Sequence, residues 1–136
     1  MTDFPDRLDA GQSDKTGHLP AGWSIAFFDT APSSNDLALS ALAEQKNAAA
    51  GQCFVVGEQT KGRGRLGRQW TSNPGDGLYM SCVLCPDTPA HLLPSLSFAI
   101  SLAVHNMLAE QIRDDRAKIS LKWPNDVLVN GGKIKV

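Results

Sequence analysis

The segment GEQTKGRGRLGRQW, Gly57 to Trp70, sets Lys61, Arg63, Arg65 and Arg68 among Gly62, Gly64 and Gly67, with no acid after Glu58. The whole chain of 136 residues carries a formal net charge of −1, so this cluster points to a local anion site and not to a general field. Glycines lack a Cβ, can take φ > 0 and can bring successive N–H groups close to a ligand. Arginine adds a planar fork that suits carboxylate and phosphate oxygens. The combination fits a small molecule bearing both groups, and Trp70 adds a ring on which a flat base could stack. The order G-x-x-x-x-G-K-[ST] is absent, and GRGRLG leads into a strand instead of opening a helix, so neither a Walker A loop nor a dinucleotide fingerprint is present. A solvated surface loop, an RNA phosphate contact, or a Trp70 that simply fastens the loop to the core remain as alternatives.

A second stretch, LKWPNDVLVNGGK, spans Leu121 to Lys133. Pro124 restricts the backbone between two strands, so Asn125 and Asp126 project from a fixed corner. Lys122, Asp126 and Lys133 could then meet at one end of a sheet. Taken alone, PND also reads as a structural turn in which Asp accepts backbone N–H bonds.

The elements that must position these groups follow from the pattern. WSIAFFD, 23–29, reads as a first strand, and Ser33, Ser34 or Asn35 can cap the helix after it. That helix extends to about Ala50, with Leu37, Ala38, Ala41 and Leu42 on one face and Gly51 as its stop. CFVVGE and LYMSCVLC read as strands, the former buried on both faces. Helical spacing returns from Leu92 to about Ile112 through Leu96, Ala99, Ile100, Ala103, Val104, Met107 and Leu108, with Pro94 tolerated in the first turn. KISLKW and DVLVN are two further strands, and NGGK a hairpin turn. The order fits a mixed α/β or α+β domain with a central sheet.

Composition agrees. Hydrophobic residues make up 42% and charged residues 20%, enough to build a core. The polar start has no apolar h-region, and no run spans a bilayer, so a cytoplasmic protein without membrane attachment is expected. Residues 1–20 read as a flexible tail ahead of a domain over 21–136. Cys82 and Cys85 form C-x-x-C, but three-residue spacing on a strand faces opposite sides, a poor clasp for a metal. Three cysteines, Cys53, Cys82 and Cys85, are an odd set, and no resident metal, redox function or disulfide framework is expected. His105 is expected to pack within the apolar helix, while His18 and His91 fall in the tail and a loop.

GRGRLGRQW and KWPNDVLVNGGK in this order, about sixty residues apart, with SSN upstream after the first strand, resemble the biotin–protein ligases over roughly residues 23–133. The resemblance implies a mixed sheet flanked by helices, related to lipoate ligases and class II aminoacyl-tRNA synthetases. It implies ATP-dependent conversion of biotin to biotinyl-5′-AMP with Mg2+, and transfer to a lysine of the biotin carboxyl-carrier domain of a biotin-dependent carboxylase. Matched motif by motif, Ser33, Ser34, Asn35 and Gln59 would contact biotin. Gly62, Arg63, Gly64 and Arg65 would close over biotin and the adenylate, with Trp70 near the nucleotide. Lys122, Asn125 and Asp126 would lie near the ATP phosphates and Mg2+, and Lys133 would hold biotin's carboxylate. Lys133, Arg65 and Asp126 would thus be the catalytic groups.

The family pattern continues after that lysine as K-x-x-G-I-L, whereas this chain reads KIKV with Val136 where glycine stands. A catalytic domain lacking its C-terminal part is expected. About twenty residues precede the first strand, so no DNA-binding helix-turn-helix and no repressor function are expected. A lipoate–protein ligase, or a module that binds biotin or adenylate without transfer, are the competing functions; the arginine–serine–glycine run usual in lipoate ligases is absent.

Overall fold

The computed structural model describes residues 19–64, 68–114 and 116–134. The expectations for residues 1–18 and for Arg65, Gly67 and Val136 lie outside the described residues. The chain divides into two compact units, Met1–Cys85 and Pro86–Val136.

In the first unit, β1 (Ser24–Ala31) leads through α1 (Ser34–Gln45) to β2 (Gln52–Gln59), and β3 (Tyr79–Cys82) follows. β2 is central: it pairs parallel to β1 and antiparallel to β3, giving a mixed sheet. β-branched and aromatic residues in SIAFF and CFVV favour these strands. Alternation sends Phe28, Phe54 and Val56 into one core with Leu37, Ala38 and Ala41 of α1. The Phe28 and Phe54 rings stack with centroids 6.5 Å apart.

Two expectations shift here. Leu42 is exposed, because it lies some 140° around the helix from Leu37, beyond the stripe that faces the sheet. The helix expected to reach Ala50 ends at Gln45, and Lys46–Ala49 form a 3-10 turn. That turn carries Ala49 to complete burial.

In the second unit, a 3-10 turn at Ala90–Leu92 precedes α2 (Ser95–Gln111), then β4 (Ile119–Lys122), β5 (Asp126–Val129) and β6 (Gly132–Ile134) form an antiparallel meander. α2 packs on β4 and β5, and Val127 of β5 is fully buried. Asn130 (φ 52) and Gly131 (φ 79) make the expected hairpin turn. Asn130 also ties this turn to the chain entering β4: its Oδ1 accepts from the Lys118 N–H at 2.9 Å, and its own N–H donates to the Lys118 carbonyl. Along α2 the more covered residues are Leu96, Ser97, Ser101, Val104, His105 and Leu108, while Ala99, Ile100, Ala103 and Met107, expected inward, are exposed. Apolar residues ring the whole helix, so their spacing did not select a face.

Candidate functional site

The first unit builds its candidate site where β1 ends, α1 begins and β2 runs out. Past Ala31, the chain stays beside β2's extension: the Thr60 and Lys61 N–H groups donate to the carbonyls of Ala31 and Pro32 at 3.0 and 2.8 Å. Ser33 then caps α1, its Oγ accepting from the Asn35 N–H at 3.2 Å. The Ser34 N–H, one of the helix's orphan donors, points at the Gln59 side chain and donates to Oε1 at 2.8 Å. The Ser34 hydroxyl donates to the same oxygen at 3.2 Å and lies 2.9 Å from the Ser81 hydroxyl of β3. Ser34 and Ser33 are both buried, and Asn35 is exposed at the helix start.

Gln59 is thus held from one side by Ser34, and Ser72 grips its backbone from the other. The Ser72 Oγ donates to the Gln59 carbonyl and accepts from its N–H, each at 3.1 Å. Among the described residues, the two arms of the glycine–arginine segment between them pair backbone to backbone as the base of a hairpin. Gln59 bridges Ser72 and Arg63 bridges Gln69; the Gly64 N–H donates to the Arg68 carbonyl at 2.7 Å, and the Trp70 N–H to the Gly62 carbonyl at 2.8 Å.

Glycine serves this hairpin by close approach. Gly62 and Gly64 do not take the positive φ that the sequence suggested. A Cβ on Gly62 would come 2.7 Å from the Trp70 carbonyl oxygen and 3.3 Å from Gln59 Nε2. No side chain fits there, and the Gln59 amide nitrogen lies beside the loop's backbone.

The Arg63 guanidinium is paired with Asp36, in the first turn of α1. This joins the arginine loop to the helix that carries Ser34 and Asn35. The pair is largely exposed, so it orients Arg63 at a cost to break of no more than about 1 kcal/mol.

The second unit gathers the other predicted residues. Lys122 stands opposite Asp126, and Leu128 opposite Lys133. Opposed residues, and residues two apart, share a face, so Lys122, Asp126 and Lys133 share one face of this sheet. Lys133 Nζ lies 2.7 Å from Asp126 Oδ1. Trp123 and Pro124, joined by a cis peptide bond, turn the chain with Asn125 between β4 and β5.

Sequence reasoning missed Asp36, Ser72 and Ser81. Asp36 had a signal, being an acid in a helix's first turn three residues past a serine cap. Ser81 is a polar residue inside an otherwise apolar strand, and Ser72 mirrors Gln59 across the hairpin. Among the described residues no group of three or more His, Cys, Asp or Glu side chains could hold a metal ion.

A mixed α+β chain with a serine-capped helix locked to a glutamine, followed by a glycine–arginine hairpin, matches the description "Biotin/lipoate A/B protein ligase family" over residues 27–135. The chain belongs to this family. It is 40% identical over 87 residues to the bifunctional ligase/repressor BirA of Bacillus subtilis, covering 64% of this chain and 26% of that protein. It is 40% identical over 85 residues to the biotin–[acetyl-CoA-carboxylase] ligase of Paracoccus denitrificans, covering 62% of this chain and 35% of that one. The biotin protein ligase of Aquifex aeolicus, solved in complex with biotin and ATP, superposes with a TM-score of 0.66 at 35% identity, over 82% of this chain and 44% of that one. The chain therefore spans about a quarter to a third of the length of these curated relatives.

Proposed function

We propose that this chain belongs to an enzyme that activates biotin with ATP and transfers the biotinyl group to a lysine of a carboxylase's biotin carboxyl-carrier domain. The observation that carries the reading is the corner formed by Ser34, Gln59 and Gly62, at the base of the glycine–arginine segment. It presents hydroxyl, amide and backbone groups to a neutral polar ring, with cations next to it for the acid and the phosphates.

In the first step a carboxylate oxygen of biotin attacks the α-phosphorus of ATP. The bond from that phosphorus to the bridging oxygen breaks, and pyrophosphate leaves. In the second step the acceptor lysine's neutral amine attacks the acyl carbon, the bond to the adenylate oxygen breaks and AMP leaves, while the amine's surplus proton passes to solvent. Two anions must meet in the first step, so fixed cations decide its rate. Lys133 is assigned to biotin's carboxylate, and Arg63 and Arg65 to the mixed anhydride. Lys122, Asn125 and Asp126 are assigned to the triphosphate. Trp70 is assigned to the nucleotide, while Ser33, Asn35 and Gly64 complete the frame around biotin.

Mg2+ would arrive with ATP and neutralise phosphate charge. The carboxylate of Asp126 and the amide oxygen of Asn125 are the hard donors such an ion prefers. The intermediate is sensitive to water, and a hairpin whose base is fixed at Gln59–Ser72 can cover it. The site of action would be the cytoplasm, where ATP and the carrier domain meet.

Lipoate is the alternative substrate within the family. The Ser34–Gln59 pair favours biotin, since lipoate's dithiolane ring has no N–H or carbonyl for these groups to bind. Incubating the chain with ATP, Mg2+, a carrier domain and either acid, followed by intact-mass measurement of the carrier, tests the proposal. Biotin labelling at one lysine supports it; lipoyl labelling, or labelling indifferent to ATP, refutes it.

A further inference from the structure

Outside the candidate site, two thiols meet. Cys53 of β2 and Cys82 of β3 are direct partners in the antiparallel register, and their sulfurs lie 2.7 Å apart. Phe54 and Val56 fill the core with α1, so alternation places the pair on the opposite face of the sheet. Cys53 is buried, Cys82 half-buried and Cys85 exposed. Cys82 is thus the more accessible of the pair and Cys53 the one that waits behind it; burial and the neighbouring thiol also push the Cys53 thiol up to about 12.

We propose that Cys53 and Cys82 are a reversible disulfide site, closed by a hydroperoxide and reopened by a thiol reductant. The Cys82 thiolate attacks the peroxide oxygen, the O–O bond breaks, and Cys82 becomes a sulfenic acid as hydroxide leaves and takes up a proton. The Cys53 thiol then loses its proton and attacks the Cys82 sulfur. The S–S bond forms, the S–O bond breaks, and the departing hydroxide takes that proton as water. Two thiols and one hydrogen peroxide thus become one disulfide and two waters.

Geometry favours this pairing over Cys82–Cys85. Directly opposed strand residues hold their Cβ atoms at about 4.5–5.5 Å, so the strands must close slightly to reach the ~3.5–4.5 Å that a disulfide spans, and the two sulfurs already lie 2.7 Å apart. Cys85 lies beyond the end of β3 and is exposed, whereas Cys82 is the register partner of Cys53. The link would tie β2 to β3 across a sequence separation of 29, enclosing the arginine hairpin. Cys82 adjoins Ser81, which touches Ser34, and β2 ends at Gln59, so the tie would restrain the frame of the site. The proposal does not depend on the biotin reading.

The test uses the full chain, reduced, treated with hydrogen peroxide, alkylated in denaturant, digested with trypsin and analysed by mass spectrometry. A peptide pair joined through Cys53 and lighter by two hydrogen atoms is expected, with Cys85 alkylated. Trypsin leaves Cys82 and Cys85 on one peptide, so two variants assign the partner. Cys85→Ser, at an exposed position, should form the link unchanged, and Cys82→Ser should lose it. Dithiothreitol should restore all three thiols. A link that survives Cys82→Ser, one that vanishes in Cys85→Ser, or no link in the unaltered chain overturns the proposal.

Discussion

The Gln59 amide oxygen accepts hydrogen bonds from both the backbone N–H and the hydroxyl of Ser34, at 2.8 and 3.2 Å. The last residue of β2 thereby closes the N-terminus of α1, twenty-five residues earlier in sequence. Truncation as Gln59→Ala leaves the buried Ser34 N–H without its acceptor, a loss of about 1–3 kcal/mol. Chemical denaturation should show that loss as a lower midpoint at unchanged slope, and an undisturbed midpoint would mean the bond carries no stability.

Gly62 and Gly64 predict a graded response. A Cβ at position 62 meets the Trp70 carbonyl oxygen at 2.7 Å, whereas at position 64 the nearest atom, the Arg68 carbonyl oxygen, is 3.3 Å away. Gly62→Ala should open the hairpin base and cost about 1–3 kcal/mol, in the range of overpacked sites, with Gly64→Ala costing less. Limited proteolysis within the arginine-rich segment reads the difference; equal protection of both variants contradicts the close-approach account.

Alkaline pH tests the burial of Cys53. Its thiol is raised from about 9 to about 12 by burial first and by Cys82 second. The folded chain therefore holds this proton more tightly than the unfolded one. Its contribution is complete below pH 9 and is lost as pH rises from about 9 to about 12. Urea titrations of the reduced chain across this window should show stability falling, and Cys53→Ala should flatten part of the decline. A slope identical in the two proteins would place the thiol in water.

Much of this was legible in the sequence. Element order, the Asn130–Gly131 hairpin and the serine cap followed from propensity, turn chemistry and capping. The glycine–arginine and KWPND segments carried the family resemblance. The contacts that organise them were not legible, since each depends on tertiary closure. Ser72, Ser81 and Asp36 gain meaning only when β2, β3 and the hairpin come together, and Gly62 is small because of Trp70, eight residues on. The face of α2 was hidden for another reason. Phe98, Ile100, Leu102 and Met107 make the helix apolar all round, so periodicity lost its contrast.

Lys133, whose ammonium is paired with Asp126 at 2.7 Å, is the cation assigned to biotin's carboxylate. Titration calorimetry with biotin on the unaltered chain and on Lys133→Ala measures that assignment. Loss of a charge-assisted bond predicts a rise in the biotin Kd of about tenfold or more, with the fold unchanged by circular dichroism. Equal affinity in the two proteins would contradict it.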